Sequence, residues 1–195
     1  YVRGTGSSER LHENKTYDWL ADGAPYRVQG NLEVWEDDDD NQVAILKIHP
    51  GAVVAFDQDK EIIIGQNSNG DAGALQADEV TFTAVNGDER WDKIHFYHNS
   101  RDDLSYMDNC IFEYSNGGVY ANGSSPTITN SIFRDNTLGI EGDLGASPII
   151  TGNTFTNNGT PVWVYGRGID GTITDNTYFD NVDGSGQSSN FIYVR

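Results

Sequence analysis

Cysteine is nearly missing from this chain: Cys110 stands alone among 195 residues. No intrachain disulfide is possible, so a long core has to supply the stability instead. Basic residues are scarce too, with 12 Lys plus Arg against 30 Asp plus Glu and a formal net charge of −18. That imbalance argues against nucleic acid and anionic membranes as partners, and it suits divalent cations or cationic surfaces. There is one methionine, and no histidine follows His98. No apolar run approaches the ~18 residues of a membrane-spanning helix. Helical periodicity is almost absent, which leaves little room for a helical bundle.

What remains is short β-rich runs broken by Gly, Asn and Asp, the pattern of an all-β protein. A chain of this length forms one domain that buries roughly 70% of its unfolded surface. Four segments in the second half align without gaps: Met107–Phe112, Ile128–Phe133, Ile150–Phe155 and Ile173–Tyr178. Their aromatic positions, 112, 133, 155 and 178, advance by 21, 22 and 23 residues. Ser115, Asn136, Asn158 and Asn181 repeat the same steps. A chain that returns to its starting point after one such step stacks each coil on the last at strand spacing, about 4.8 Å. Equivalent positions then lie above one another, with Phe over Phe inside and Asn over Asn at a bend that tolerates left-handed backbone. The expected fold is a single-stranded right-handed parallel β-helix, a solenoid of about 21–23 residues per coil.

On these repeats the chain resembles the right-handed parallel β-helix proteins of the pectate-lyase-like superfamily. Upstream, Leu46-Lys47-Ile48-His49-Pro50-Gly51-Ala52-Val53-Val54-Ala55-Phe56 is similar to a coil common in surface proteins of that type. Val80–Ala84 and Trp91–Phe96 continue the pattern. The resemblance implies a fold and no single function, because the superfamily includes lyases, hydrolases, epimerases, adhesins and structural proteins.

Residues 1–23 lack the coil pattern and are expected to form an N-terminal cap or edge strand. Coils are expected over 24–182, with insertions at 36–42, 66–73, 86–90 and 99–103. Residues 183–195 read as a Gly/Ser linker followed by a terminal strand. The chain starts at Tyr1 with neither Met nor signal peptide, as a mature or excised segment would. Tyr1 and Val2 at one end, with Phe191, Ile192, Tyr193 and Val194 at the other, are candidate assembly strands for self-association end to end.

Lyases of the resembled superfamily need a base, and a cation that neutralises a substrate carboxylate. The local cluster with those residue types is Arg90, Lys93, His95, Tyr97, His98 and Arg101, of which Lys93, His95 and Arg101 are the catalytic candidates. His95 and Tyr97 should share an outward face while Ile94 and Phe96 point inward. The Gly-His-Gly and Arg-Ile-Lys elements of polygalacturonase-like hydrolases are absent from the sequence. Stacked acids among Asp135, Glu141, Asp143, Asp170, Asp175 and Asp180 could still supply a hydrolytic pair. The run Glu36, Asp37, Asp38, Asp39 and Asp40 offers hard oxygen ligands to calcium. Trp163 and Tyr165 share a face opposite Val162 and Val164, where exposed rings could hold a sugar.

Three functions follow from this inventory. The leading expectation is a secreted, acidic structural or cell-surface module that assembles into a filament or tandem array without catalysing a reaction. The alternatives are a carbohydrate-active enzyme, a polysaccharide lyase in particular, and a passive carbohydrate-binding module.

Overall fold

A computed structural model describes residues 9–36, 42–67, 70–165, 172–183, 185–188 and 192–194. Every regular element among them is a strand. The first coil carries β1 (Glu9–Leu11), β2 (Thr16–Trp19) and β3 (Tyr26–Val28). The second carries β4 (Leu32–Val34), β5 (Ala44–Ile48) and β6 (Val53–Phe56), and the third β7 (Ile62–Ile64), β8 (Gly73–Asp78) and β9 (Thr81–Ala84). Next come β10 (Trp91–Phe96), β11 (Tyr106–Asp108) and β12 (Ile111–Glu113), then β13 (Ser115–Asn122), β14 (Thr127–Thr129) and β15 (Ile132–Arg134). The last coils hold β16 (Leu138–Asp143), β17 (Ile149–Thr151) and β18 (Thr154–Thr156), then β19 (Thr160–Val164), β20 (Ile173–Thr174) and β21 (Thr177–Phe179). Strand β22 (Ile192–Val194) closes the series.

Each third strand joins the same sheet, giving three parallel sheets of eight, seven and seven strands. We call them the first sheet (β1 to β22), the second (β2 to β20) and the third (β3 to β21). The chain is therefore a β-solenoid of about six turns wound around one apolar interior. The 21-, 22- and 23-residue steps hold in the second half. Earlier coils advance by about 30 residues, as in the bonds from Arg27 to Asp57 and from Thr83 to Glu113.

The interior follows from the alternation of strands and from the register. Inward positions such as Val34, Ile64, Phe96, Ala121 and Ile140 are fully buried on the first sheet. On the third sheet, register places Phe82, Phe112, Phe133, Phe155 and Tyr178 one above another. Their rings stack at centroid distances of 4.9, 4.5, 5.0 and 5.2 Å. Each such pair contributes roughly 0.5–1.5 kcal/mol beyond the area it buries. Phe56 stacks on Trp91 at 4.4 Å in the coils above, and the Trp91 indole N–H donates to the Glu113 carbonyl.

The bend between the third and first sheets carries an asparagine ladder. The backbone N–H of Ser115 donates to Asn136 Oδ1 at 2.9 Å. The Asn136 N–H and side-chain amide both donate to Asn158 Oδ1, and Asn158 does the same toward Asn181. Each amide also donates to a carbonyl one coil back: Asn136 to Phe112, Asn158 to Phe133 and Asn181 to Phe155. A second ladder, Ser131, Asn153 and Asn176, occupies the other bend. The left-handed residue at each bend is not the ladder asparagine but the residue before it: Tyr114, Asp135, Asn157 and Asp180, with φ of 59°, 58°, 52° and 54°. That turn buries the following side chain, and the ladder satisfies it.

Strands β1, β2 and β3 are the edge strands of their three sheets, β1 and β2 pairing with β4 and β5 in parallel. Strand β22 pairs in parallel with β19 of its own chain, through Ile192, Tyr193 and Val194, and is the other edge of the first sheet. Tyr1, Val2 and Phe191 lie outside the described residues.

Candidate functional site

The outer face of the first sheet collects the chemistry. Cross-strand register sets Glu33, Ile63, His95, Tyr120, Glu141 and Trp163 in one file along the solenoid axis. A neighbouring file contains Asn122 and Asp143 in register, with Tyr165 following Asp143 through the bond from its N–H to the Gly142 carbonyl. Ile94 and Phe96 point into the core as alternation requires, which turns Lys93, His95 and Tyr97 outward together.

The His95 ring is almost covered, at 7% exposure. It stacks on Tyr97 at 4.0 Å and meets Tyr120 at 4.7 Å. Its Nδ1 lies 3.7 Å from the Glu61 carboxylate, and its Nε2 is buried with no hydrogen-bond partner. The Lys93 ammonium sits 5.5 Å over the Tyr120 ring and 3.4 Å from the Asp92 carboxylate. Burial pushes the Glu141 carboxyl above the usual carboxylate range; Lys93 opposes the shift and Asp143 adds to it. Burial also raises the Tyr120 phenol, with Asp143 and Glu141 contributing. Trp163 and Tyr165 stand at 37% and 51% exposure, with Tyr193 in register on the rung after Trp163. The result is a face of rings interleaved with carboxylates, whose nearest ammonium already has a carboxylate beside it.

Lys93 and His95 belong to this face. Arg101 does not join them: its guanidinium is engaged in a two-pronged pair with Asp103, 3.0 and 2.9 Å away. Arg90 is spent on backbone, its Nη1 donating to the carbonyls of Ser115 and Asp135. His98 contacts the Asn67 side chain at 3.0 Å. Arg90 and Asp135 help line a polar cavity of ≈ 440 Å³ at the bend between the third and first sheets.

Glu36 is buried, and its backbone bridges to Ala72. Asp37, Asp38, Asp39, Asp40 and Asp170 lie outside the described residues. Among the described residues no group of three or more His, Cys, Asp or Glu is placed to hold a metal ion. Among the described residues no helix is long and apolar enough to cross a membrane. Cys110 is buried in the ladder bend, where burial pushes its thiol up to about 12; it is a packing residue, not a nucleophile.

Tyr120, Glu141 and Asp143 complete the face, yet they belong to no motif. Only the register, 21–25 residues per step here, reveals them. An eye for stacked positions would have found Glu141 beneath Tyr120 and above Trp163.

Fold and face together define a parallel β-solenoid that presents an aromatic and acidic surface along its axis. The chain belongs to the right-handed β-helix family, whose model, described as right handed beta helix region, matches residues 49–193. No curated protein and no solved structure matches the chain significantly.

Proposed function

We propose that this protein is an extracellular saccharide-binding β-helix, with the outer face of its first sheet as the platform. The observation that carries this reading is the file of Tyr120, Glu141 and Trp163 beside Asp143 and Tyr165. Rings offer flat apolar surface to the C–H faces of a sugar, while carboxylates and phenols take its hydroxyls. Successive rungs are about 4.8 Å apart, comparable to one sugar unit, so a glycan lying along the axis meets one rung per residue.

Trp163→Ala with Tyr165→Ala should weaken retention on polysaccharide by about tenfold or more, since two lost ring contacts are worth roughly 1–3 kcal/mol. Affinity electrophoresis in gels cast with different polysaccharides measures this. The circular dichroism should not change, because both side chains are partly exposed. Retardation equal to that of the parent protein would remove the platform.

A second reading, end-to-end assembly, is favoured by β1 and β22, the outermost strands of the first sheet among the described residues. Open edges recruit further strands. Light scattering should then show a mass that grows with concentration, and substituting proline for Ile192, whose edge position tolerates no added strand afterwards, should abolish the growth. A constant monomer mass across the whole range would exclude assembly.

A further inference from the structure

We infer that the platform selects cationic amino sugars, glucosamine polymers with free ammonium groups, over neutral and uronic-acid glycans. This inference rests on the saccharide-binding reading and names the ligand class of that same face.

Acids dominate the charge around the rings of Tyr120 and Trp163, while Arg10 stands at the far end of the file, in register with Glu33. Glu33, Glu61, Glu141 and Asp143 sit on or beside the two files, and Asp92 stands next to Lys93. Lys93 is the ammonium within reach of the rings, and Asp92 already lies 3.4 Å away from it. A uronate entering here would meet carboxylates on neighbouring rungs, with Lys93 already beside Asp92, against an overall charge of −18. An ammonium entering here would meet the reverse: carboxylates as acceptors and ring faces for cation–π contact.

Two observations independent of the acids point to an occupant. Trp163 and Tyr165 keep 37% and 51% of their surface exposed on the last rung but one of this face. His95, nine-tenths buried among the rings of Tyr97 and Tyr120, holds Nε2 without a partner. The raised Glu141 carboxyl fits the same picture, because a desolvated carboxylate gains most from an incoming cation.

Register also gives the spacing of recognition. Tyr120, Glu141 and Trp163 occupy successive rungs, so one sugar's ammonium at Glu141 places its neighbours over the two rings. In the parallel file, Asp143 lies one rung before Tyr165 and repeats that order, acid then ring.

Titration calorimetry of the full chain with glucosamine hexamer, its N-acetylated counterpart and a galacturonic acid hexamer tests the inference. The glucosamine hexamer should bind at least tenfold more tightly than the N-acetylated one, and the galacturonic acid hexamer should give no heat. Glu141→Gln with Asp143→Asn should collapse that preference, whereas Asp59→Asn with Glu89→Gln, away from the face, should leave it intact. Equal affinity for the first two hexamers, or tighter binding of the uronate, overturns the amino-sugar assignment while leaving a saccharide platform. A preference that survives Glu141→Gln with Asp143→Asn also overturns it, by tracing the effect to overall charge. Silence from all three hexamers, together with no retardation on any polysaccharide, overturns the platform itself.

Discussion

Asn158→Ala should lower the melting temperature by roughly 8–16 °C, on the basis of about 4 kcal/mol lost in a chain of this size. The Asn158 side chain is fully enclosed, and its amide serves three coils at once. Its Oδ1 accepts from the N–H and the side-chain amide of Asn136. Its Nδ2 donates to the carbonyls of Phe133 and Thr156 and to Asn181 Oδ1. Alanine leaves these groups buried without the amide and without room for water to replace it in full, and each orphan costs about 1–3 kcal/mol. The neighbouring Asn157 is exposed and holds the left-handed turn. Asn157→Ala should cost only about 1 kcal/mol, the price of that backbone conformation. Differential scanning calorimetry of the two variants separates ladder from turn; equal shifts would show that the amide stack carries no stability. Asn158 also opens a glycosylation-type triplet with Gly159 and Thr160, but its amide is committed to the ladder.

Gly118→Ala should be nearly as damaging and should reach the proposed platform as well. Gly118 has φ of 47°, and a Cβ there would lie 2.0 Å from the Gly139 carbonyl oxygen and 3.0 Å from its carbon. Those atoms belong to the backbone of the next rung, so relief requires the strands to part. Left-handed backbone adds about 1–2 kcal/mol, and with the separation of β13 from β16 the total is on the order of 3 kcal/mol. Gly118 pairs with Lys93, at the bulge where the register between β10 and β13 shifts. Two residues on stands Tyr120, which the displaced strand would carry away from Glu141. Thermal melting should fall by roughly 6–12 °C, and the residual folded protein should lose saccharide retention at 20 °C. Retention intact in a destabilised Gly118→Ala protein would detach Tyr120 from binding.

The second half of the solenoid was legible in the sequence because its coils have no insertions. Phe112, Phe133, Phe155 and Tyr178 recur in step, and so do the ladder residues that follow them. The first half hid itself: steps of about 30 residues, stretched by loops such as 97–105, break the alignment that finds the later coils. Glu9–Leu11 and Thr16–Trp19 read as a cap or edge because they are short and polar, with Thr16 and Asp18 exposed; they lie in the solenoid as its edge strands. The left-handed position fell one residue earlier than the recurring ladder asparagines, which serve these bends with their amides while the residue before each takes the positive φ. Of the basic cluster around His95, strand alternation turned His95 and Tyr97 to the face opposite Ile94 and Phe96, and Lys93 joins them there. Arg101 was near in sequence only; a carboxylate two residues away, Asp103, claims it. Tyr120, Glu141, Asp143 and the exposed rings meet His95 through register alone, a relation that pairs residues more than twenty positions apart.

Because strand pairing joins each coil only to the coil before and the coil after, the molecule behaves as a one-dimensional lattice. Its free energy is a sum over rungs and the interfaces between them, and the inner ladders are the coupling that makes neighbouring rungs melt together. An interior lesion such as the loss of Asn158 therefore splits the array into two shorter columns, each with a new frayed face. The same lesion at the last rung removes a single interface. Position along the axis, as much as residue type, sets how far a substitution is felt.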